Sequence, residues 1–314
     1  MAAEQLALAV DLGGTKVEAA FVTADGRVLE ESRHRVPTGH DIHPDALEAA
    51  LRQVVRQTMA DAADAGDIVG VGIGSAGPVA STIGEISPLN MPNCWDFPIV
   101  KFVRDASGIA NTSLHLDGLC IALAEHWVGA LRKYHTAMGM VVSTGVGGGL
   151  IVDGRFLAGK TGNAGHVGQV RIATPNADGK NLETTLEGIA SGPNIVRWAR
   201  EQGWTGDTGE DLGASYAKGD PIAIAAIKRC GEAVGLAIAT VGALVDLEAV
   251  AIGGGFSRVT PDLFAIANAT LRVRSPLRTM VGIEIVPTGL SDDGPLIGAG
   301  GLIHRSDLVP HPEV

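Results

Sequence analysis

Two stretches of this 314-residue chain follow one plan, and that repetition narrows the fold more than any other feature. LALAVDLGGTK (residues 6–16) is a short apolar run ending in paired glycines. VEAAFVTADGRVLEE (17–31) follows as two alternating runs parted by Asp25-Gly26-Arg27. In the second half, GMVVSTGVGGGLIVDGRFLAG (139–159) gives again an apolar strand, a glycine loop, a second strand and Asp153-Gly154-Arg155. A short apolar run bounded by turn signals reads as a buried strand, and alternating runs around Asp-Gly read as a hairpin. The echo predicts an internal duplication: two α/β halves, each presenting a phosphate-sized loop toward the other.

The segments between these copies fit that plan. Pro44 to Ala63 reads as a helix, with Pro in its first turn and Leu47, Leu51, Val54, Val55 and Met59 at helical spacing. Ile68 to Pro78 reads as a second buried strand. Helices are expected at Leu182 to Ala190, Asn194 to Gln202, Pro221 to about Val245 and Pro295 to His304, and a strand at Glu248 to Phe256. In SLHLDGLCIALAEHW (113–127) an apolar run becomes a helix at Asp117. Asp is a favoured N-cap, so the ordinary reading of that carboxylate is a cap, and a base in a dry cleft is the alternative.

Composition agrees with an α/β protein and excludes other classes. Glycine is abundant at 43 residues and aromatics make up 4%, which suits many tight strand-to-helix turns. A length beyond what one core organises predicts two domains. The net charge of −11 lacks the basic stripe that nucleic acid requires. Cys94, Cys120 and Cys230 are too few and too scattered for a disulfide framework. No basic leader precedes Asp11, and the small-residue helix after Pro221 is broken by Lys228, Arg229 and Glu232, so a soluble, cytoplasmic protein is expected.

Glycine loops after strands let backbone N–H groups crowd round an anion. Three occur: Gly13-Gly14 with Thr15 and Lys16, Gly145 to Gly149 with Thr144, and Gly253-Gly254-Gly255. Each alone is read more simply as a turn that needs glycine, and neither common phosphate fingerprint fits. Three together are harder to dismiss as turns alone. His34, His40 and His43 lie in a polar stretch and read as surface, and Trp95 reads as packing.

The set DLGGTK (11–16), GIGSAGPV (72–79), SPLNMPNCWDFPI (87–99), STGVGGGLIVDGR (143–155), AGHVGQV (164–170), EGIASG (187–192) and AIGGGF (251–256) resembles the ROK family of bacterial sugar kinases, in order from residue 6 to about 303. The resemblance implies the actin-like, hexokinase-like fold: two ribonuclease-H-like α/β domains with the active site in the cleft between them. On that plan, residues 1–115 with about 295–314 form the smaller domain and 116–294 the larger. It also implies transfer of the ATP γ-phosphate to a hexose hydroxyl, usually that on C6, and a homodimer. Repressors in this family carry a helix-turn-helix ahead of the first strand, which here begins at Leu6, so none is expected.

Carried over by position, Asp117 is the base. Asp11 organises Mg²⁺ through water, and Gly13, Gly14, Thr15 and Lys16 line the phosphate path. Thr144, Gly145, Gly147 and Gly148 hold the ATP phosphates, while Gly253, Gly254 and Gly255 lie against the adenosine. Asn90 and Glu187 bind the sugar. On the residues alone, Asn90 is a turn residue and Glu187 a solvated helix position.

The chain departs from the family at several points. The Cys-rich zinc loop is replaced by RIATPNADGKNLETTLE (171–187), the zinc-binding His is Gln169, and no zinc site is expected. The family Glu of AGExGH is His166, and the Asn before the base is Leu116. His166 and Gln169 remain candidates for sugar hydroxyls. Losing an amide changes which analogues leave buried groups unpaired, so glucose is the default substrate, with glucosamine or kanosamine as modified alternatives. A catalytically quiet sugar-binding protein, or a phosphoryl transferase acting on a small acid or a protein, are the competing readings.

Overall fold

The computed structural model describes residues 4–61, 66–175, 181–275 and 277–309. The chain opens with β1 (Gln5–Leu12), β2 (Lys16–Thr23) and β3 (Val28–Pro37), then α1 (Pro44–Ala60) and β4 (Asp67–Ser75). The two-residue strands β5 (Val79–Ala80) and β6 (Glu85–Ile86) lead to α2 (Ile99–Ser107) and β7 (Thr112–Leu116), which runs straight into α3 (Asp117–Trp127). The second half repeats the scheme with β8 (Ala137–Val142), β9 (Val146–Val152) and β10 (Arg155–Phe156). It continues through β11 (Arg171–Pro175), β12 (Asn181–Thr185), α4 (Leu186–Ala190), α5 (Gly192–Glu201), α6 (Gly209–Ala217) and α7 (Pro221–Val245). It closes with β13 (Ala249–Gly253), α8 (Asp262–Arg274), β14 (Glu284–Pro287) and α9 (Gly294–His304).

The duplication is visible in the topology. One sheet runs β3-β2-β1-β4-β7 and the other β10-β9-β8-β13-β14, the same order with the same sense of pairing. In each, the first two strands form an antiparallel hairpin and the last three run parallel. The central parallel strand of the second sheet, β13, is apolar and buried throughout, and β1 of the first is buried from Leu6 to Leu12 with Asp11 as its one charged residue there, as burial on both faces demands. The second Asp-Gly turn has both residues at positive φ, Asp153 at 52° and Gly154 at 73°, the geometry that matches the twist of a two-residue hairpin.

Helices α3 and α9 pack on each other between the sheets, α9 against β1, β2 and β4, and α3 against β8 and β9. They approach closely because the facing residues are small. A Cβ on Gly298 would stand 1.9 Å from Cys120 O, and one on Gly72 1.7 Å from Ala299 O. Apolar clusters on the two sheets, one around Leu8, Phe21 and Leu51, the other around Ile227, Val234 and Ile238, form the core.

Two sequence expectations need correction. Leu182 to Ala190 is not one helix: residues up to Thr185 pair with β11, and the helix starts only at Leu186, where Thr185 caps it by accepting from Gly188 N at 3.1 Å. Two neighbouring threonines suit an extended strand, and the second doubles as the cap. Trp95 does not pack; it is 64% exposed. The first long helix ends at Ala60, and the expected continuation to Ala63 enters residues 62–65, outside those described, as do residues 310–314 and 1–3. The interval of the missing zinc loop is the β11–β12 hairpin, whose residues 176–180 also lie outside them. No helix among the described residues is long and apolar enough to cross a membrane.

Candidate active site

Asp117 stands where β7 becomes α3 without an intervening loop. The N-cap position belongs to Leu116, and Asp117 is the first helical residue, its Oδ1 accepting from Gly118 N at 2.6 Å. The helix can seat itself there because Gly118 has no side chain: a Cβ would lie 2.3 Å from Gly148 O on β9. Asp117 Oδ1 is 4.0 Å from where a Cβ of Gly147 would sit, so the carboxylate faces the glycine strand of the other sheet.

Burial pushes the Asp117 carboxyl up to about 6, against the opposing bond from Gly118 and with help from the negative charge of Glu187. Asp11, at the end of β1, is pushed up to about 7 by burial first, then by Asp117, while Lys16 draws it down. The buried Cys120 thiol is raised well above its ordinary value by burial and by these two carboxylates. Asp11, Asp117 and Glu187 thus share one poorly solvated region, reached from both sheets.

Lys16 leads back along β2, where its ammonium pairs with Glu18 two residues on, the spacing that shares a strand face. Glu18 lies directly across the hairpin from Asp11 and is 3% exposed. It also accepts from Arg35 at 2.8 Å and has Arg33 at 3.5 Å. Despite burial, Arg35 and Lys16 hold its carboxyl below the usual range. Sequence reading missed Glu18; the Lys-x-Glu spacing on a strand was the available signal.

The Asn90 amide covers the first glycine loop, its Nδ2 2.4 Å from where a Gly14 Cβ would be. Glu187 Oε2 accepts from Val146 N at 2.9 Å and lies 2.7 Å from a Cβ position on Gly145, so it closes on the second loop. His166 Cε1 and Leu116 Cδ2 lie 3.2 and 2.3 Å from a Cβ position on Gly77. The imidazole Nε2 is buried and has no hydrogen-bond partner among the described residues. Burial lowers its pKa, partly offset by Glu187. Gln169 ends a 3-10 turn and is exposed, its backbone N–H bonded to His166 O at 3.0 Å.

Thr144 is exposed at the β8–β9 turn, which Ser143 N closes by bonding Gly145 O at 2.9 Å. Gly192 N, opening α5, bonds Ser143 O at 2.8 Å. Gly254 has φ 94° and backs onto Val142 O, and Gly255 faces Ser143 Oγ, so the third glycine loop lies against the second. Gly147 and Gly148 are strand residues of β9: a Cβ on Gly148 would press on Gly139 O and Val167, while the missing side chain of the next residue, Gly149, is what admits α3, and Gly253 ends β13 against Thr288. Thr15 is exposed in the first turn, where Gly13 N bonds Lys16 O at 3.0 Å and Thr38 N bonds Thr15 O at 2.9 Å.

Two repeated sheets meeting at helices, with glycine turns from both converging on buried carboxylates, define the actin-like, hexokinase-like class. The chain belongs to the ROK family, whose model matches residues 7–306. It is 34% identical over 250 residues, 79% of this chain and 82% of the relative, to an N-acetylmannosamine kinase of Citrobacter koseri. The structure resembles a ROK hexokinase from Thermus thermophilus, with a TM-score of 0.77, 27% identity, and 96% of this chain and 99% of that one covered. It also shares its fold with a ROK family glucokinase from Streptomyces griseus crystallised with glucose and AMPPNP, with a TM-score of 0.75 at 24% identity, covering 96% and 99%. These relatives support sugar kinase activity for this chain.

Proposed function

We propose that this protein is an ATP-dependent hexose kinase that transfers the γ-phosphate to the 6-hydroxyl of glucose or a related amino sugar, with Asp117 as general base. The observation that carries this reading is the buried Asp117 carboxyl, which faces Gly147 of β9 and has its pKa raised to about 6 by burial. Such a group is mostly ionised at neutral pH, yet basic enough to take a hydroxyl proton. Asn90 and Glu187 hold the sugar, with His166 and Gln169 completing its surroundings. Gly13 to Lys16 and Thr144, Gly145, Gly147 and Gly148 line the phosphates, and Gly253 to Gly255 the adenosine.

The residues fit Mg²⁺: Asp11 supplies hard oxygen donors, and its carboxyl is raised to about 7 by burial first and then by the charge of Asp117, so its ionised form would gain from a nearby cation. When bound, Mg²⁺ supplies charge neutralisation to the phosphates. Asp11 would hold the ion through water, and Lys16 would exchange part of its Glu18 pairing for phosphate. Alignment rather than covalent chemistry supplies most of the rate. We place the domain division at residues 1–115 with about 295–314 against 116–294, and the enzyme in the cytoplasm as a homodimer that binds no nucleic acid or membrane.

ADP release from Mg-ATP over a panel of plain, amino and N-acetylamino hexoses tests the reading, the last because of the relative's name. One sugar should stimulate turnover well above the rest. If none does, the second reading takes over: a catalytically quiet sugar-binding protein, favoured by Leu116 and the unpartnered His166 nitrogen.

A further inference from the structure

The segment Gly77–Val79, just past β4, is where the candidate sugar-reading groups meet. Gly77 O accepts from Leu89 N at 3.1 Å and Pro78 O from Ser87 N at 2.9 Å, which seats the loop carrying Asn90. Leu116, the neighbour of Asp117, and His166 both abut Gly77. The third residue, Val79, is held by a single side chain from the loop after β10. Asn163 Oδ1 accepts from Val79 N at 2.8 Å, and its Nδ2 donates to Val79 O at 2.8 Å. The amide therefore pairs with both backbone groups of Val79 as a neighbouring strand would.

The loop that offers Asn163 is built to hold it there. Ala164 N closes the stem on Ala158 O at 3.0 Å. Asn163 Nδ2 also reaches Thr161 O at 3.1 Å and Thr161 Oγ1 at 3.3 Å. Gly162 sits at φ 82°, its Cβ position 3.1 Å from Ser81 Oγ, and Gly165 at φ 104° has its Cβ position 2.5 Å from Gly148 O. Neither glycine tolerates a side chain without moving the loop. His166 follows two residues beyond the turn, so its place against Gly77 depends on where Asn163 docks.

We propose that Asn163 is a positioning residue for sugar recognition. It clasps the loop carrying His166 and Gln169 to the Gly77–Val79 segment that seats Asn90, and so fixes the distance between groups that reach one sugar from the two sheets. This rests on the sugar kinase reading above. Asn163 acts through His166 and touches neither nucleotide nor the reacting hydroxyl.

The test is steady-state kinetics and calorimetric sugar binding, without nucleotide, for Asn163→Ala, His166→Ala and the double variant. Asn163→Ala should raise KM and Kd for the best sugar about tenfold, as expected for two lost hydrogen bonds, with KM for ATP within about twofold. On the His166→Ala background it should add little, because both substitutions remove one arrangement. Equal losses toward sugar and ATP, independent effects in the double variant, or an unmoved sugar Kd would overturn the clasp. If Asn163→Ala does not fold, Asn163→Asp keeps the acceptor to Val79 N but loses the donor to Val79 O, and must show the same sugar-selective weakening. A wild type that binds a sugar without phosphorylating it sinks the kinase reading while Kd still judges the clasp. A wild type that binds no hexose overturns both.

Discussion

Replacing Asp117 by Asn should make the unliganded protein more stable at pH 8, not less. Two effects of opposite sign compete at this position. A carboxylate in the first turn of a helix gains about 0.5–1 kcal/mol from the backbone N–H groups and the helix dipole, which Asn forfeits. Against that, a rise in pKa from 3.8 to about 6 corresponds, at about 1.4 kcal/mol per pH unit, to about 3 kcal/mol of cost to the ionised form. The cleft position admits some solvent screening, which reduces this to on the order of 1–3 kcal/mol. Asn keeps an acceptor for Gly118 N and sheds the charge, so the net gain is about 1–2 kcal/mol, or about 2–4 °C in a chain of this size. The sign of the pH dependence follows. Between about pH 4 and 6 the unfolded Asp has lost its proton while the folded one keeps it, so wild-type stability falls as pH rises, and the gain from Asn grows over that window. Thermal unfolding of both proteins at pH 4.5 and pH 8, without nucleotide, reads the effect. Destabilisation of similar size at both pH values would refute the reasoning and return Asp117 to the role of a helix-terminal carboxylate.

Asp11→Asn should show the same sign over a window reaching about pH 7, since its carboxyl is pushed higher; a melting-temperature profile that stays parallel to wild type would contradict this. Gly298→Ala drives a methyl to 1.9 Å from Cys120 O, so α3 and α9 must part, and denaturant unfolding should report a loss of at least about 2–3 kcal/mol; a near-neutral variant would mean the helices are not held this close. Removing Mg²⁺ should abolish turnover while a zinc-selective chelator leaves it intact, and stoichiometric zinc in the purified protein would overturn the second half. Small-angle scattering should show compaction on adding sugar with a non-hydrolysable nucleotide, and an unchanged radius of gyration would count against domain closure.

The duplication was legible because it rests on local signals: apolar runs, glycine turns and two Asp-Gly-Arg spellings, each read within a few residues. The matching sheet orders follow from those signals once parallel strands need crossovers. The strand from Asn181 to Thr185 was not legible, since its partner β11 lies across a turn and only pairing decides between strand and helix there. Trp95 was misread because aromatic size suggests burial, while nothing local reports that its loop leaves the core. At the site, the motifs pointed to Asp11, Asp117 and Glu187, which do converge. Glu18 and Asn163 escaped because each matters through a partner distant in sequence or across a hairpin: Glu18 through Arg35, and Asn163 through Val79. The glycines after Val146 carry two meanings at once, since the absence of side chains that opens a phosphate loop also admits α3.

The central claim is that Asp117 takes the proton of the sugar hydroxyl during phosphoryl transfer. Turnover of wild type and Asp117→Asn, with the best sugar at saturating Mg-ATP and with sugar affinity measured separately, tests it most directly. The account predicts a fall in kcat of about 10²–10⁴-fold, the range for a positioned base, with sugar Kd changed by no more than a few-fold. A variant that retains kcat within about threefold of wild type, or loses activity only through sugar affinity, would contradict it.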